Sequence, residues 1–236
     1  MEYLGHRLRQ ELKYYINESD YHTLRSRLSA VADPDPNMAD PEGYLVTSVY
    51  FDDIHQSSLT EKEAGYQFRK KFRIRCYNRS DAPILLECKR KYGAYVSKES
   101  VPLSRREYED ILSEEYDFLL SSTFPLCREL YAHHHAQLLR PVVAVEYLRE
   151  AWGMREGAVR ITFDKDISAS IGECDMLSES FEVRKVLEPG RMVLEIKFDL
   201  FLPSTAVQIL KTAMTERCAI SKYVMCRNEK RRRLFR

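Results

Sequence analysis

The chain has 236 residues, 44% of them hydrophobic, which suits one domain over 1–236 with a substantial core. Its 37 Lys plus Arg stand against 36 Asp plus Glu, and a net charge of +1 excludes a surface basic throughout, as in many nucleic-acid binders; no specific nucleic-acid partner is expected. Six cysteines without a CxxC pair or zinc spacing, and no apolar run of the roughly 18 residues that span a membrane, give the expectation of a reduced, cytoplasmic chain in which any membrane or export partner is not encoded.

Alternating and β-branched stretches predict strands near 8–16, 45–52, 67–78, 83–91, 94–102, 141–152, 158–164, 182–187 and 191–199. Helical patterns fall at 19–31, behind Ser19-Asp20; at 104–139, broken near Phe124-Pro125; and at 203–217, behind Pro203-Ser204. Many strands around few helices predict an α+β chain built on a closed antiparallel barrel, with helices packed outside.

The strands carry their charges in a fixed parity. Residues i and i+2 share a face, so Arg9, Glu11 and Lys13 stand opposite Leu8, Leu12 and Tyr14, and Arg73 and Arg75 opposite Phe72, Ile74 and Cys76. Glu87 pairs in the same way with Lys89, Tyr147 with Arg149, Arg160 with Thr162 and Asp164, and Glu195 with Lys197. Any one such strand reads equally as an ordinary amphipathic strand with its polar face in water. Six together predict a barrel whose apolar face lies under the helices and whose interior holds about ten cations and a few carboxylates. Their mutual repulsion calls for a polyanion. Arginine forks grip phosphate oxygens in pairs and lysines add point charges, so the expected ligand is a phosphate chain. The carboxylates suit Mg²⁺ or Mn²⁺, with Glu195 the first candidate ligand and Glu87 the second; an ion pair to a neighbouring cation is the alternative for each.

The segments Arg9-Gln10-Glu11-Leu12-Lys13-Tyr14, Val49-Tyr50-Phe51-Asp52, Phe72-Arg73-Ile74-Arg75-Cys76-Tyr77, Leu86-Glu87-Cys88-Lys89, Tyr147-Leu148-Arg149, Val159-Arg160-Ile161, Val193-Leu194-Glu195-Ile196-Lys197 and Ser221-Lys222-Tyr223 resemble, in order and parity, the catalytic domain of the vacuolar transporter chaperone (VTC) family, the polyphosphate polymerase branch of the triphosphate tunnel metalloenzymes. The resemblance implies an eight-stranded tunnel that grips ATP and growing polyphosphate. Carried over, it assigns phosphate binding to Lys13, Arg73, Arg75, Lys89, Arg149, Arg160, Ser221 and Lys222, with Tyr147 beside them and Glu195 on the metal; Lys98 and Lys197 join on a poorer match and on parity respectively. The superfamily's N-terminal Glu-x-Glu-x-Lys appears here as Arg9-x-Glu11-x-Lys13, as in the polymerase branch, with one carboxylate fewer than the hydrolase branch. The extra regulatory and transmembrane domains of the eukaryotic subunits have no counterpart in these residues.

Phosphoryl transfer needs chiefly alignment and charge neutralisation, for which Lys13, Arg73, Arg75 and Arg149 are the expected catalytic groups. Hydrolysis of an inorganic or organic triphosphate, the alternative activity, requires a positioned water, and Glu11 with Lys13 is the pairing expected to activate it. A non-catalytic polyphosphate-binding module is the third reading. No Gly-x-x-x-x-Gly-Lys or Gly-x-Gly-x-x-Gly loop is present. Adjacent helical residues diverge by about 100°, so His133-His134-His135 do not chelate one ion. The acidic run from Glu107 to Asp117 reads as a solvated helix, Trp152 as barrel packing, and Lys230 to Arg236 as a basic tail that either contacts polyphosphate, nucleic acid or acidic lipid or stands exposed without a partner.

Overall fold

The computed structural model describes residues 2–3, 6–213 and 217–234. Eight strands form a ring: β1 (Arg9–Ile16), β2 (Tyr44–Asp52), β3 (Phe68–Tyr77), β4 (Ile84–Tyr92), β5 (Tyr95–Leu103), β6 (Arg140–Met154), β7 (Val159–Ser170) and β8 (Met192–Phe198). The hydrogen-bonded order is β7-β8-β1-β5-β4-β3-β2-β6, and pairing of β6 with β7 returns the sheet to its start. Every neighbour is antiparallel, and Asp33–Pro34 and Val183–Lys185 add two short strands at the margins. The narrowest joint lies between β1 and β5, which meet only at Arg9/Val96 and Gln10/Tyr95. Past that joint the Cys218 amide donates to the Lys13 carbonyl, so a later segment continues the wall.

Helix α1 (Glu18–Leu28) starts at Asn17, whose side chain accepts from the Asp20 amide while the Asp20 carboxylate accepts from the Asn17 amide. The span expected as one interrupted helix over 104–139 is two helices, α3 (Arg105–Leu112) and α4 (Pro125–Gln137), with a 3₁₀ turn at Asp117–Ser121 between them. Glu114 at φ +63° ends the first, and Pro125 at the opening of the second has no amide for an intrahelical bond. The helix expected over 203–217 is shorter, α5 (Ser204–Leu210), and residues 214–216 lie outside the described residues. Two helices, α2 (Ser57–Glu63) and α6 (Lys222–Leu234), have no counterpart among the expected elements.

The outward faces of the strands supply most of the core. Phe72, Ile74, Leu86, Cys88 and Val101 are buried with Tyr108, Ile111, Leu126 and Leu130 of α3 and α4. On the far side Tyr14, Ile161, Phe163, Leu194 and Ile196 are buried with Leu24, Leu28, Ala206 and Leu210 of α1 and α5. Helix α6 behaves differently. Tyr223 and Cys226 cluster with Val143, Val145 and Tyr147, which share a strand face with Arg149, so α6 packs on the inner face of the ring and seats its first turn in the interior. Lys230 of the basic segment belongs to this helix and donates to the Gly172 carbonyl; Phe235 and Arg236 lie outside the described residues. No helix among the described residues is long and apolar enough to cross a membrane.

Candidate functional site

Strand register decides which charges meet. Across β1 and β8, Lys13 stands opposite Glu195 and Glu11 opposite Lys197, so opposite charges alternate in two rows. Lys197 Nζ lies 2.7 Å from Glu195 and 3.8 Å from Glu11, and Lys13 Nζ lies 3.5 Å and 3.6 Å from the same two carboxylates. Lys89 crosses from β4 to donate to both Glu11 oxygens at 2.9 and 2.6 Å. Lys222, at the start of α6, completes the cluster 3.7 Å from Glu195.

This cluster forms one wall of a cavity with about 900 Å³ of empty space, part of it open to solvent. Eleven cationic side chains line it: Lys13, Lys62, Arg69, Lys71, Arg73, Arg75, Lys89, Lys91, Arg149, Lys197 and Lys222. Glu11 and Glu195 are its carboxylates, and Tyr50, Tyr147, Ser221 and Tyr223 fill the gaps. A second cavity shares Glu11, Arg73, Lys89, Val96 and Lys197 with the first and adds Arg9, Gln10, Ser97 and Lys98. The two adjoin along the ring interior. A net excess of cations in so confined a volume is an anion site by electrostatics alone.

The deep guanidiniums are held unequally. Arg149 is fixed by Asp164 through two parallel bonds of 2.6 and 2.8 Å, and Asp164 also pairs with Lys222. Burial pushes the Asp164 carboxyl up, but Arg149 and Lys222 outweigh it and hold it at about 2. Gly43, at φ +114°, lets its chain pass against β6 here, for a Cβ would lie 2.2 Å from the Arg149 carbonyl oxygen. Arg73 donates to Glu87 at 2.7 Å and to Tyr50 Oη at 2.9 Å. Arg75 has only neutral partners at hydrogen-bond distance, Ser48 Oγ at 3.0 Å and Tyr147 Oη at 3.2 Å, with Glu87 3.8 Å away. Arg75 is therefore the buried guanidinium least committed to a carboxylate.

The two candidate metal ligands separate. Glu87 is fully buried and receives Arg73, Lys98 at 2.6 Å and Ser100 at 3.1 Å; burial alone would raise its pKa, but Arg73, Arg75 and Lys98 hold it far below the carboxylate range. It lines neither cavity, and its expected role as a metal ligand is replaced by an ion pair built into the wall. Glu195 faces the cavity beside Glu11. Burial and Glu195 push the Glu11 carboxyl up while Lys13 and Lys89 lower it further, and burial raises Glu195 while Lys197, Lys13 and Lys222 lower it well below the usual value, so both are ionised. No group of three or more His, Cys, Asp or Glu suited to a metal occurs among the described residues. The donor set still fits Mg²⁺ or Mn²⁺, since these hard cations are commonly bound by one or two carboxylates together with substrate phosphates and water.

Most of the expected residues do come together: Lys13, Arg73, Arg75, Lys89, Tyr147, Arg149, Lys197, Ser221 and Lys222 all line the first cavity. Two depart from the expectation. Arg160 lines neither cavity, because Asp35 from the loop after α1 pairs with its guanidinium and Tyr44 Oη accepts from it at 3.0 Å. Lys98 lines only the second cavity, its ammonium turned to Glu87. Sequence reading missed Lys71, Arg69 and Lys91, which follow the parity of Arg73 and Lys89 and were open to the same argument. It also missed Lys62 and Tyr223, whose helices carry no pattern that aims them inward. Of the three histidines, His134 stacks on Tyr116 at 3.7 Å and meets His135 edge to face at 5.5 Å, His133 bonds Gln137, and His135 lies near Asp117. Trp152 is buried and donates to Glu150 at 2.8 Å, a packing role.

A family model described as "VTC domain" matches residues 8–229. The chain belongs to the VTC domain family. Among solved structures, one described as "a putative adenylate cyclase" from Vibrio parahaemolyticus superposes on this VTC domain with a TM-score of 0.51 at 11% identity, covering 93% of this chain and 98% of that one. A protein of Bacillus halodurans described in the same words gives 0.49 at 16% identity over 92% and 96%. At 11% identity the first of these likenesses is one of fold alone. No curated protein matches this VTC domain. Family membership and the cationic ring interior together support a metal-dependent enzyme that handles triphosphates.

Proposed function

We propose that this VTC domain is a polyphosphate polymerase, which transfers the terminal phosphate of ATP to the end of a polyphosphate chain. The observation that carries the reading is the second cavity. A triphosphatase needs room for three phosphates, whereas here the cationic lining continues past Lys89 and Lys197 to Arg9 and Lys98, whose side chains are 46% and 48% exposed. A donor in the first cavity and an acceptor chain in the second would meet at the residues they share.

In the transfer a terminal oxygen of the acceptor forms a bond to the γ-phosphorus, the bond from that phosphorus to the β,γ-bridging oxygen breaks, and ADP leaves. The acceptor is already an anion, so no strong base is required. Arg73, Arg75 and Arg149 would neutralise the equatorial oxygens, and Lys13, Lys89 and Lys222 would align the two chains. Glu11 and Glu195 would hold Mn²⁺ or Mg²⁺, which would supply positive charge to offset that of the phosphates. This assigns Glu11 to the metal in place of water activation, because a carboxylate held ionised by Lys89 and Lys13 is a weak base. The test incubates the protein with ATP and Mn²⁺ and resolves the phosphate products by length. Long chains with ADP support polymerisation, ADP with orthophosphate alone supports a triphosphatase, and no product with any divalent metal leaves only a binding module.

A further inference from the structure

Seven lysines line the first cavity, and six of them are committed to an oxygen. Lys13 and Lys197 pair with Glu11 and Glu195, Lys89 with Glu11, and Lys222 with Asp164. Lys62 donates to the Ala219 carbonyl at 2.8 Å, and Lys91 to the Gly93 carbonyl. Among the described residues, Lys71 alone of the seven has neither a carboxylate nor a carbonyl partner. Its Nζ has Ser221 Oγ at 3.5 Å and the Tyr223 ring, with the centroid 4.4 Å away.

The rest of its surroundings are cations. On β3 it shares the inner face with Arg69 and Arg73, its register partner on β4 is Lys89, and Lys62 and Lys13 add their charge. Burial first, and then Arg69, Lys62 and Lys13, hold its pKa well below the ordinary lysine value against a weaker opposing pull from Asp52. The side chain is only half-buried, and it opens on the cavity. An uncharged amine there is a nucleophile standing in the middle of an anion trap.

We infer that Lys71 is a site of acylation by acyl phosphates, small anions whose phosphate the flanking cations hold while the amine attacks the acyl carbon. The Lys71 nitrogen forms a bond to that carbon and the bond from the carbon to the bridging oxygen breaks. Inorganic phosphate leaves with the electron pair, and the amine proton passes to it or to solvent. The amide so formed takes up no proton, so the cavity loses a group that gains charge when a phosphate chain binds, and affinity for such chains falls. The inference rests on the anion site of the proposed function and not on which phosphate transfer the chain performs. A phosphate chain protects Lys71 in two ways: it occupies the cations that recruit the acyl phosphate, and it draws a proton onto the amine.

The experiment treats the full chain with acetyl phosphate at mildly alkaline pH and follows acetyl-lysine by peptide mass spectrometry. Lys71 is expected to react at least roughly tenfold faster than Lys185, whose side chain is 64% exposed, since each unit of pKa depression raises the free-amine fraction about tenfold. Tripolyphosphate should remove that lead, and N-hydroxysuccinimidyl acetate, which carries no phosphate, should give a smaller one. The treated chain should bind tripolyphosphate roughly tenfold more weakly in calorimetry, while Lys71→Arg should lose no affinity on the same treatment. Acetylation of Lys71 no faster than that of Lys185, a lead that tripolyphosphate leaves intact in a chain that binds it, or an equal lead with both reagents would each overturn the inference and leave the tunnel reading standing. An untreated chain that binds no tripolyphosphate would overturn the anion site itself.

Discussion

Arg149 and Asp164 face each other across β6 and β7 as a two-point ion pair, and Lys222 from α6 closes on the same carboxylate. One side chain thus positions two cations of the cavity and ties the inner helix to the wall. The Asp164 pKa is depressed to about 2, so its contribution to stability is complete above the unfolded value of about 3.9 and is lost as pH falls through 2, a span equivalent to roughly 2–3 kcal/mol. Asp164→Asn is expected to lower stability by about 3 kcal/mol, because two buried cations lose their counter-charge. Its melting temperature should also change less than the wild type's between about pH 4 and pH 2. Identical pH profiles for the two proteins would remove Asp164 from this role.

Arg75 offers the cleanest test of the phosphate site, since its near partners are neutral hydroxyls and its loss strands no carboxylate. Charge-assisted bonds contribute roughly 1.5–3 kcal/mol, so Arg75→Ala should weaken tripolyphosphate binding about ten- to a hundredfold. Turnover should fall further if the contact tightens during transfer. Calorimetry with unchanged affinity would place the phosphates elsewhere.

Glu195 separates catalysis from anion capture. A carboxylate beside bound phosphates is repulsive unless a cation lies between them, so Glu195→Gln should abolish metal-dependent turnover while leaving metal-free tripolyphosphate binding intact or slightly stronger. Turnover across a Mn²⁺ titration and binding in chelator measure the two effects. Wild-type turnover in the variant would refute the metal assignment, and a folded variant that no longer binds would point to the Lys13 and Lys197 ion pairs as the purpose of this residue.

Lys71 predicts a proton signature. Burial first, and then Arg69, Lys62 and Lys13, lower its pKa well below the ordinary lysine value. A bound phosphate chain reverses the electrostatic part and raises it. Tripolyphosphate binding should therefore take up protons at pH values between the depressed pKa and the usual lysine value of about 10.4, and affinity should fall as pH rises through that window. The measured enthalpy should vary with the ionisation enthalpy of the buffer, and the dependence should shrink in Lys71→Met. Equal buffer dependence in both proteins would assign the uptake to other groups.

Strand parity makes the ring and much of its lining legible in the sequence, because a period of two places Arg73 with Arg75, or Glu195 with Lys197, on one face whatever their neighbours are. The same rule reaches Lys71 when it is carried to the end of β3. Parity does not say which charge meets which. That depends on register, and register turned Glu87 toward Arg73 and Lys98 as a sealed ion pair, while it left Glu195 beside Glu11 on the cavity. Nor does it see elements distant along the chain. Asp35 draws Arg160 out of the lining, and α6 brings Ser221, Lys222 and Tyr223 inside a ring that ended more than twenty residues earlier. The strand faces follow from sequence, since backbone geometry sets them one strand at a time; the pairings and the inner helix belong to the tertiary structure, since they depend on which remote backbone comes within a few ångströms.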